Sequence, residues 1–433
     1  MARTIFADAN LFDGENAPRS GMNVVLEGNR IAAVTDRTTE AGADDRVIEL
    51  AGKTLMPGMW QGHFHSGFGA FGGGTGAPVL GLEEPTAYFG MLAAKNANTA
   101  LQCGFTSIIG SSNGQGLDVC LKEAILAGVV EGPRVTACTH EFVVSGDMAD
   151  GTNRSWFMGL SSHGLIRRCD GPEAFRQATR EELGRGADIV KISASPGHGS
   201  APARDACYMT DAELRAVTET AHDRGKLVRA HTSSKTSILA CAKAGVDLID
   251  HADHIDRECI DAILEADATV LPTMLWYDRF LGMAESWDHA AQPFPIGDGF
   301  PEALETTLAR IRAVRAEFDY ARGVLPDVVS AGVRLVVGDD FGTPLMPHGD
   351  YISEFEVYVK QLDIPALEVL RWTTKNAADS IGKGHELGTI AEGKHADLIV
   401  VDGDPVADIT CLRDPARMPA IVRDGVFVRD LLL

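Results

Sequence analysis

No run of about 18 apolar residues occurs anywhere in the chain, so a membrane-spanning helix is not expected. Basic residues are in deficit. Lysine and arginine number 39 against 61 aspartates and glutamates, a net charge of -22. Phosphate backbones and anionic lipid surfaces are bound by basic faces, so neither nucleic acid nor membrane is an expected partner. The eight cysteines (Cys103, Cys120, Cys138, Cys169, Cys207, Cys241, Cys259 and Cys411) include no CxxC pair. Cysteine-based zinc binding therefore has no support, and free thiols in a reducing compartment, the cytoplasm, are the simplest expectation. The first ten residues lack a basic segment followed by an apolar run, so no signal peptide is expected. Fixed-period repeats and low-complexity tracts are missing too.

What is there is ordinary for a soluble globular protein: 45% hydrophobic and 23% charged residues. The 433 residues exceed what one small core accommodates and suit one large domain with a smaller one. Short apolar or alternating segments fill the N-terminal end at 4–9, 22–26, 31–34 and 46–50, separated by Asp13-Gly14, Gly28-Asn29 and Gly52. The C-terminal end has the same character. A strand at 396–401 stops at Asp402-Gly403, and two more at 420–423 and 426–429 flank Asp424-Gly425, a strong hairpin signal. Two strand-rich ends around a different middle predict one discontinuous β domain made of residues 1–56 and 384–433 around a domain spanning 57–383.

The middle alternates apolar runs with amphipathic stretches. Eight candidate strands lie at 54–65, 106–109, 134–138, 188–193, 227–231, 247–251, 269–273 and 334–339. Helical patterns fall at 211–224, 235–244, 257–265 and 302–331. Eight strand–helix units over about 290 residues fit a (β/α)8 TIM barrel, though periodicity alone leaves a doubly wound sheet open. The Gly-rich segment 67–76 reads as a loop after the first strand. The stretch between Trp276 and Ala303 reads as an insertion, a lid or an oligomer contact.

Chemistry-bearing residues sit at the ends of these runs. His63-Phe64-His65 closes the first, and residues i and i+2 of a strand project from one face, where two imidazoles can grip one metal. Alone, HxH is a weak signal. His231 ends Lys226-Leu-Val-Arg-Ala-His231 and His251 ends Val246-Asp-Leu-Ile-Asp-His251. Either alone would more often be structural. Asp340 follows Arg334-Leu-Val-Val-Gly-Asp339 and reads equally well as a helix cap or as a metal-binding general base. Lys191, inside Gly186-Ala-Asp-Ile-Val-Lys-Ile192, must bury its charge or snorkel; alternatively its amine has taken up carbon dioxide, giving a carbamate able to bridge two cations. Six such residues at strand ends, in order along the chain, are hard to explain as separate accidents. Weaker pocket candidates are His140, His198, Trp276, Tyr277 and His348.

With these residues in place, the sequence resembles the amidohydrolase superfamily, within it the imidazolonepropionase-like and prolidase-like (Xaa-Pro dipeptidase-like) branch. Leu55-Met-Pro-Gly-Met-Trp-Gln-Gly-His-Phe-His65 is similar to that family's first-strand motif. Gly338-Asp-Asp340 stands where the family usually has Gly-Thr-Asp, with His348-Gly349 matching a frequent His-Gly after it. Thr373-Thr-Lys-Asn-Ala-Ala378 and Gly388-Thr-Ile-Ala-Glu-Gly-Lys-His-Ala-Asp397 resemble the C-terminal signature that leads into the family's β-sandwich, which implies a β-sandwich for the discontinuous β domain. The resemblance covers almost the whole chain. It implies that His63, His65 and Asp340 hold one metal, that His231 and His251 hold a second, and that carboxylated Lys191 bridges them. Zinc suits such ligands. Two cations about 3.5–4 Å apart would share a hydroxide, with Asp340 as general base.

Two departures bear on substrate. Peptidase-like relatives often carry Thr-Gly-Gly-His where this chain has Ser145-Gly-Asp-Met148, and a tyrosine soon after the fifth-strand histidine where this chain has Thr232-Ser-Ser-Lys235. Both features are associated with peptide-like substrates. A small amide, carbamate or urea is therefore expected as substrate. The competing readings are a dipeptidase or carboxypeptidase using Arg229 or Lys235 to bind a carboxylate, a cyclic amidohydrolase or deaminase, and a catalytically dead scaffold. The strand-4 lysine argues against the deaminase, and the complete ligand set argues against the scaffold. Relatives commonly self-associate, so a homo-oligomer is expected.

Overall fold

A computed structural model of the chain describes residues 2–69, 84–147, 150, 164–198, 205–290, 294, 303–343 and 345–432. Most of the Gly-rich segment, the end of the Ser145-Gly-Asp-Met148 stretch and much of the 276–303 insertion lie outside the described residues. Among the described residues no helix is long and apolar enough to cross a membrane. All eight cysteines are unpaired.

The middle of the chain is α/β with parallel strands, because crossovers between neighbouring strands return the chain to the same end. Seven strands run in the order Ile166–Arg168, Cys138–Val143, Ile189–Ser193, Leu227–Thr232, Leu248–His251, Thr269–Leu271 and Arg334–Leu335. A second parallel sheet contains Met59–Phe64, Phe105–Gly110 and Arg134–Thr136. Only Ala137 separates Arg134–Thr136 from Cys138–Val143, so the chain passes directly from one sheet into the other. At the other margin the Gly62 amide donates to the Val337 carbonyl at 2.9 Å, and Phe64 forms a parallel bridge with Phe341. The intervening helices have sequence-encoded starts. Asp211–His222 opens with a capping box in which Thr210 and Glu213 satisfy each other's backbone amides, and Asp256 accepts the Cys259 amide ahead of Arg257–Glu265.

The two chain ends build one eight-stranded sheet. Its order is Val426–Asp430, Ala420–Arg423, Leu398–Val401, Thr54–Pro57, Arg3–Leu11, Arg19–Glu27 and Arg30–Thr35, with Arg46–Glu49 also paired to Arg3–Leu11. Its apolar residues, among them Phe6, Leu11, Val24, Leu55, Leu398 and Val422, form a core of their own. The sequence predicts one strand over 54–65, but the chain divides at Gly58. Thr54–Pro57 pairs antiparallel with Leu398–Val401, whereas Met59–Phe64 joins the parallel sheet. A Cβ at Gly58 would lie 2.1 Å from the Thr106 hydroxyl, so the crossing point admits only glycine.

Arg134 ties the parallel sheets to the terminal sheet. Its guanidinium donates to Asp397 at 2.8 and 3.1 Å and to Asp424 at 2.9 Å. Asp424 also accepts from His395 at 2.8 Å. Hydrogen bonds between charged groups in a partly buried network contribute about 1.5–3 kcal/mol. Arg134→Ala is expected to lower stability by about 2 kcal/mol, read as a lower urea midpoint. An unchanged midpoint would mean that the two parts are held by apolar packing alone.

Candidate metal centre

The C-terminal strand ends gather the titratable groups. His63 lies on Met59–Phe64, and His65 follows it; their ring centroids are 5.0 Å apart. The His65 Nδ1–H is committed to the Ser112 carbonyl at 3.1 Å, which leaves Nε2 facing Asp340 Oδ1 at 3.3 Å. His65 also stacks on Phe68, 4.0 Å between centroids. His63 Nε2 is 2.7 Å from the same Asp340 oxygen, yet neither of its ring nitrogens makes a hydrogen bond of acceptable geometry. A buried lone pair aimed off-axis at a carboxylate is costly when left so, and it is the arrangement of two ligands converging on a common cation.

His251 ends Leu248–His251, its centroid 5.5 Å from His63 and 4.4 Å from His231. Neighbours on a regular strand face opposite sides, but Asp250 and His251 both reach this interior. The strand stops at His251, whose φ of 69° is left-handed and turns the ring inward. Its Nδ1 is 2.7 Å from the Thr273 hydroxyl. His231, on Leu227–Thr232, has a buried Nε2 with no hydrogen-bond partner.

Burial pushes the His63 imidazole down to about 3, although Asp340 and Asp250 oppose it. Burial also lowers His231, reinforced by Lys191, and holds His251 well below the usual imidazole range. Burial alone would raise Asp340, but His63 and His65 outweigh it and keep the carboxylate well below its ordinary range. Neutral His63, His231 and His251 beside an ionised Asp340 are the protonation states a divalent cation requires. Three ligand atoms from His63, His65 and Asp340 lie within 4.8 Å of one another, as do three from His198, His251 and Asp340. The donor set fits a divalent metal.

Lys191 is 2% exposed, on Ile189–Ser193, and its Nζ donates to Asp250 Oδ2 at 2.5 Å. The fully buried Arg229, which is its cross-strand neighbour, donates to Asp250 Oδ1 at 2.6 Å and Oδ2 at 3.2 Å and to the carbonyls of Gly62 and Gly110 at 3.1 and 2.7 Å. Arg229 is therefore a strut beneath the site, with its donors turned inward. Lys235 pairs with Asp256 at 2.6 Å and Glu258 at 2.8 Å. The carboxylate-binding role open to either cation in sequence thus meets side chains already engaged.

The weaker candidates fall in different places. His198 enters the centre. Its Nδ1 bonds Asp253 at 3.1 Å, its ring stacks on His251 at 3.9 Å, and its Nε2 is 3.2 Å from Thr273 Oγ1. Burial would lower this imidazole, but Asp253 raises it to about 9. Tyr277 sits edge-on to His198 at 5.1 Å, within the helix Met274–Glu285, which runs into the stretch that the sequence marks as an insertion. His140 is engaged at both nitrogens, by Glu182 at 3.1 Å and the Gln115 amide at 3.2 Å. His348 backs His65, 3.1 Å from its carbonyl and 3.1 Å from the Tyr351 hydroxyl.

Sequence reasoning passes over Asp250, Arg229 as a strut, and Asp253. The rule that singles out Lys191, a charge inside an apolar strand, applies equally to Arg229 and Asp250. Asp253 lies in a loop and carries no such signal.

A parallel α/β scaffold that presents imidazoles and an ionised carboxylate at its strand ends defines a hydrolase with a candidate metal centre. The chain belongs to the amidohydrolase family, whose model matches residues 54–428. It is accordingly a hydrolase acting on carbon–nitrogen bonds. Ochratoxinase of Aspergillus niger is 26% identical over 444 aligned positions, covering 98% of this chain and 86% of that one. A prolidase solved in complex with N-methylphosphonate-L-proline is 27% identical and superposes with a TM-score of 0.81, covering 99% of this chain and 100% of that one. A Xaa-Pro dipeptidase with methionine bound in its active site shares the fold, with 24% identity, a TM-score of 0.82, and coverage of 99% and 100%.

Proposed function

We propose that this protein hydrolyses an amide, carbamate or urea-type bond of a small molecule, with two divalent cations, zinc by ligand chemistry, held by His63, His65, His231, His251 and Asp340. The observation that carries the reading is the approach of His63 Nε2 to 2.7 Å from Asp340 Oδ1 outside hydrogen-bond geometry. In this reading the parallel sheets are a (β/α)8 barrel over 57–383, and residues 1–56 with 384–433 form its β-sandwich. The unpaired cysteines support a cytoplasmic setting. We also expect a homo-oligomer.

The cations would supply Lewis acidity, acidifying a water and polarising the scissile carbonyl. Asp340 has a side chain 22% exposed, whereas His63 and His65 are at 1% and 6%, so the carboxylate is the ligand a substrate can reach. It removes a proton from the attacking water and delivers it to the leaving nitrogen as the carbon–nitrogen bond breaks. His63 and His65 hold the carboxylate ionised for the first of these tasks. Lys191, carboxylated on Nζ, would add an anion between the two histidine groups; the carbamate nitrogen keeps one N–H, enough to retain its bond to Asp250. His198, held by Asp253, stands where it can meet a substrate oxygen, with Tyr277 as a wall.

Ochratoxinase among the relatives favours a small-molecule amide. The prolidase neighbour favours a dipeptide instead, but a dipeptide carboxylate would need a cation, and Arg229 and Lys235 are both engaged.

Metal content per chain tests the reading, paired with an activity screen over amides, carbamates and ureas. About two zinc ions per chain are expected, falling to one or none in Lys191→Ala. One ion per chain, indifferent to Lys191, would remove the bridging role and direct the search to mononuclear hydrolases and deaminases.

A further inference from the structure

Asp340 is held by a segment that is not a regular strand. Ladder pairing ends with Arg334–Leu335, and beyond it the Val336 amide reaches the Val270 carbonyl and the Val337 carbonyl takes the Gly62 amide. The next residue, Gly338, has a φ of 153°, and a Cβ there would lie 2.3 Å from the His63 amide nitrogen and 2.8 Å from the Gly62 carbonyl carbon. Asp340 itself sits at φ 37°. A non-glycine residue in that region costs about 1–3 kcal/mol and persists only where its surroundings over-determine it.

One surrounding group is unexplained by the reaction described above. Glu354 is fully buried, on the short helix Ile352–Glu356, and its Oε1 accepts the Gly338 amide at 2.8 Å. The same oxygen is 3.3 Å from the Tyr358 hydroxyl, which donates to the Pro272 carbonyl at 2.5 Å. Tyr358 lies in a single π-helical turn, Val357–Gln361, and Pro272 directly follows the strand Thr269–Leu271. Such turns recur at functional sites because they redirect a side chain by one position. The Gly338 amide thus receives from a side chain the acceptor that a neighbouring strand would otherwise supply.

We propose that Glu354 is a positioning residue for the hydrolysis: by accepting the Gly338 amide, and being itself set by Tyr358 against the preceding strand end, it fixes the Gly338–Asp340 turn and the direction of the Asp340 carboxylate. What matters in this role is an acceptor at the Oε1 position, not a negative charge. Burial, with Asp339 adding to it, holds the Glu354 carboxyl well above its ordinary range, which agrees with a neutral acceptor. A displacement of about 1 Å at a reacting group can cost about 100-fold in rate.

The proposal rests on the metal-dependent hydrolase reading, and two readouts keep the two apart. One is steady-state kinetics on whichever amide, carbamate or urea the wild-type enzyme turns over. The other is the visible absorption of the cobalt(II)-substituted protein, which needs no substrate. Glu354→Gln keeps the acceptor, Glu354→Asp keeps a carboxyl group but withdraws the oxygen, and Glu354→Met keeps the volume and neither. Expected are a kcat within about threefold of wild type for Gln, a fall of about 100-fold for Asp and Met, KM within about threefold throughout, and a cobalt spectrum altered only in Asp and Met. If Met does not fold, the Gln–Asp contrast decides. Asp active and Gln inactive would show that an ionisable carboxyl is needed rather than an acceptor at this position, and would overturn the proposal. So would three variants with wild-type kcat, or activity losses that match the lost folded fraction measured by circular dichroism. A wild-type protein that neither binds cobalt nor cleaves any of these substrates would instead refute the hydrolase reading on which the proposal stands.

Discussion

Asp340→Asn is expected to lower kcat by about three orders of magnitude while leaving the melting temperature nearly unchanged. Asparagine keeps the side-chain volume and an oxygen facing His63 and His65, but it cannot take a proton from water or return one to a leaving nitrogen. The choice of asparagine matters because the φ of 37° is left-handed, a region that asparagine and aspartate tolerate better than other non-glycine residues. Alanine at this position would add backbone strain of about 1–2 kcal/mol to the chemical loss and mix two effects. Steady-state rates for the purified variant, with a thermal melt beside them, separate the two. Retention of more than a tenth of the activity would move the proton transfer to another group, with His198 and its Asp253 partner the next to test.

Asp250→Asn is expected to destabilise the protein by about 3–5 kcal/mol, the largest stability effect anticipated for a single substitution here. Asp250 is a lone buried carboxylate between Lys191 and the Arg229 guanidinium, which are register neighbours on adjacent strands. Burial alone would raise this carboxyl, but Arg229 and then Lys191 reverse the effect and keep it ionised. Without its charge, the Arg229 guanidinium, together with the ammonium of any Lys191 left uncarboxylated, has no counter-ion in a dry interior. A urea titration followed by fluorescence measures the loss. Replacing Lys191, Arg229 and Asp250 together by apolar residues of similar volume is expected to recover much of it, because no charge is then left unpaired. An Asp250→Asn variant that unfolds at the wild-type urea concentration would show that the cluster is not what holds this part of the interior.

The sequence makes the site legible where chemistry coincides with periodicity. His63, His231 and His251 each close an apolar run, and a strand end is a position that a one-dimensional pattern can mark. The structure brings His63, His65 and Asp340 onto one point and puts His251 beside them. What the pattern does not carry is geometry created by departures from regular backbone. The predicted strand over 334–339 pairs as a strand only at Arg334–Leu335, and the chain turns at Gly338, whose φ is positive. His198 likewise reaches the centre from a loop, at φ 45°. Trp276 and Tyr277 begin a helix that has no side-chain cap and lacks a clear polar face, so its sequence does not announce it. Glu354, more than 80 residues downstream of Pro272, is joined to that region only through Tyr358. Burial of ionic groups was half legible: an apolar strand flags its charged member, but not which residue neutralises it.

The terminal sheet has a consequence for how the chain reaches this state. Leu398–Val401 fills the gap beside Thr54–Pro57, and the C-terminal hairpin completes that flank. The strands of the first 57 residues can pair among themselves, but a ribosome has to deliver nearly the whole chain before Thr54–Pro57 finds its second partner, and that side of Leu55 stays uncovered for most of synthesis. Contacts so distant in sequence form slowly, because a very long loop must close first. Synthesis from the N-terminus thus favours early maturation of the parallel strands, with completion of the terminal sheet by its three C-terminal strands as the final step. A chain halted before residue 398 would carry the histidines and aspartate of its centre, yet present an open sheet edge to any other unfinished chain nearby.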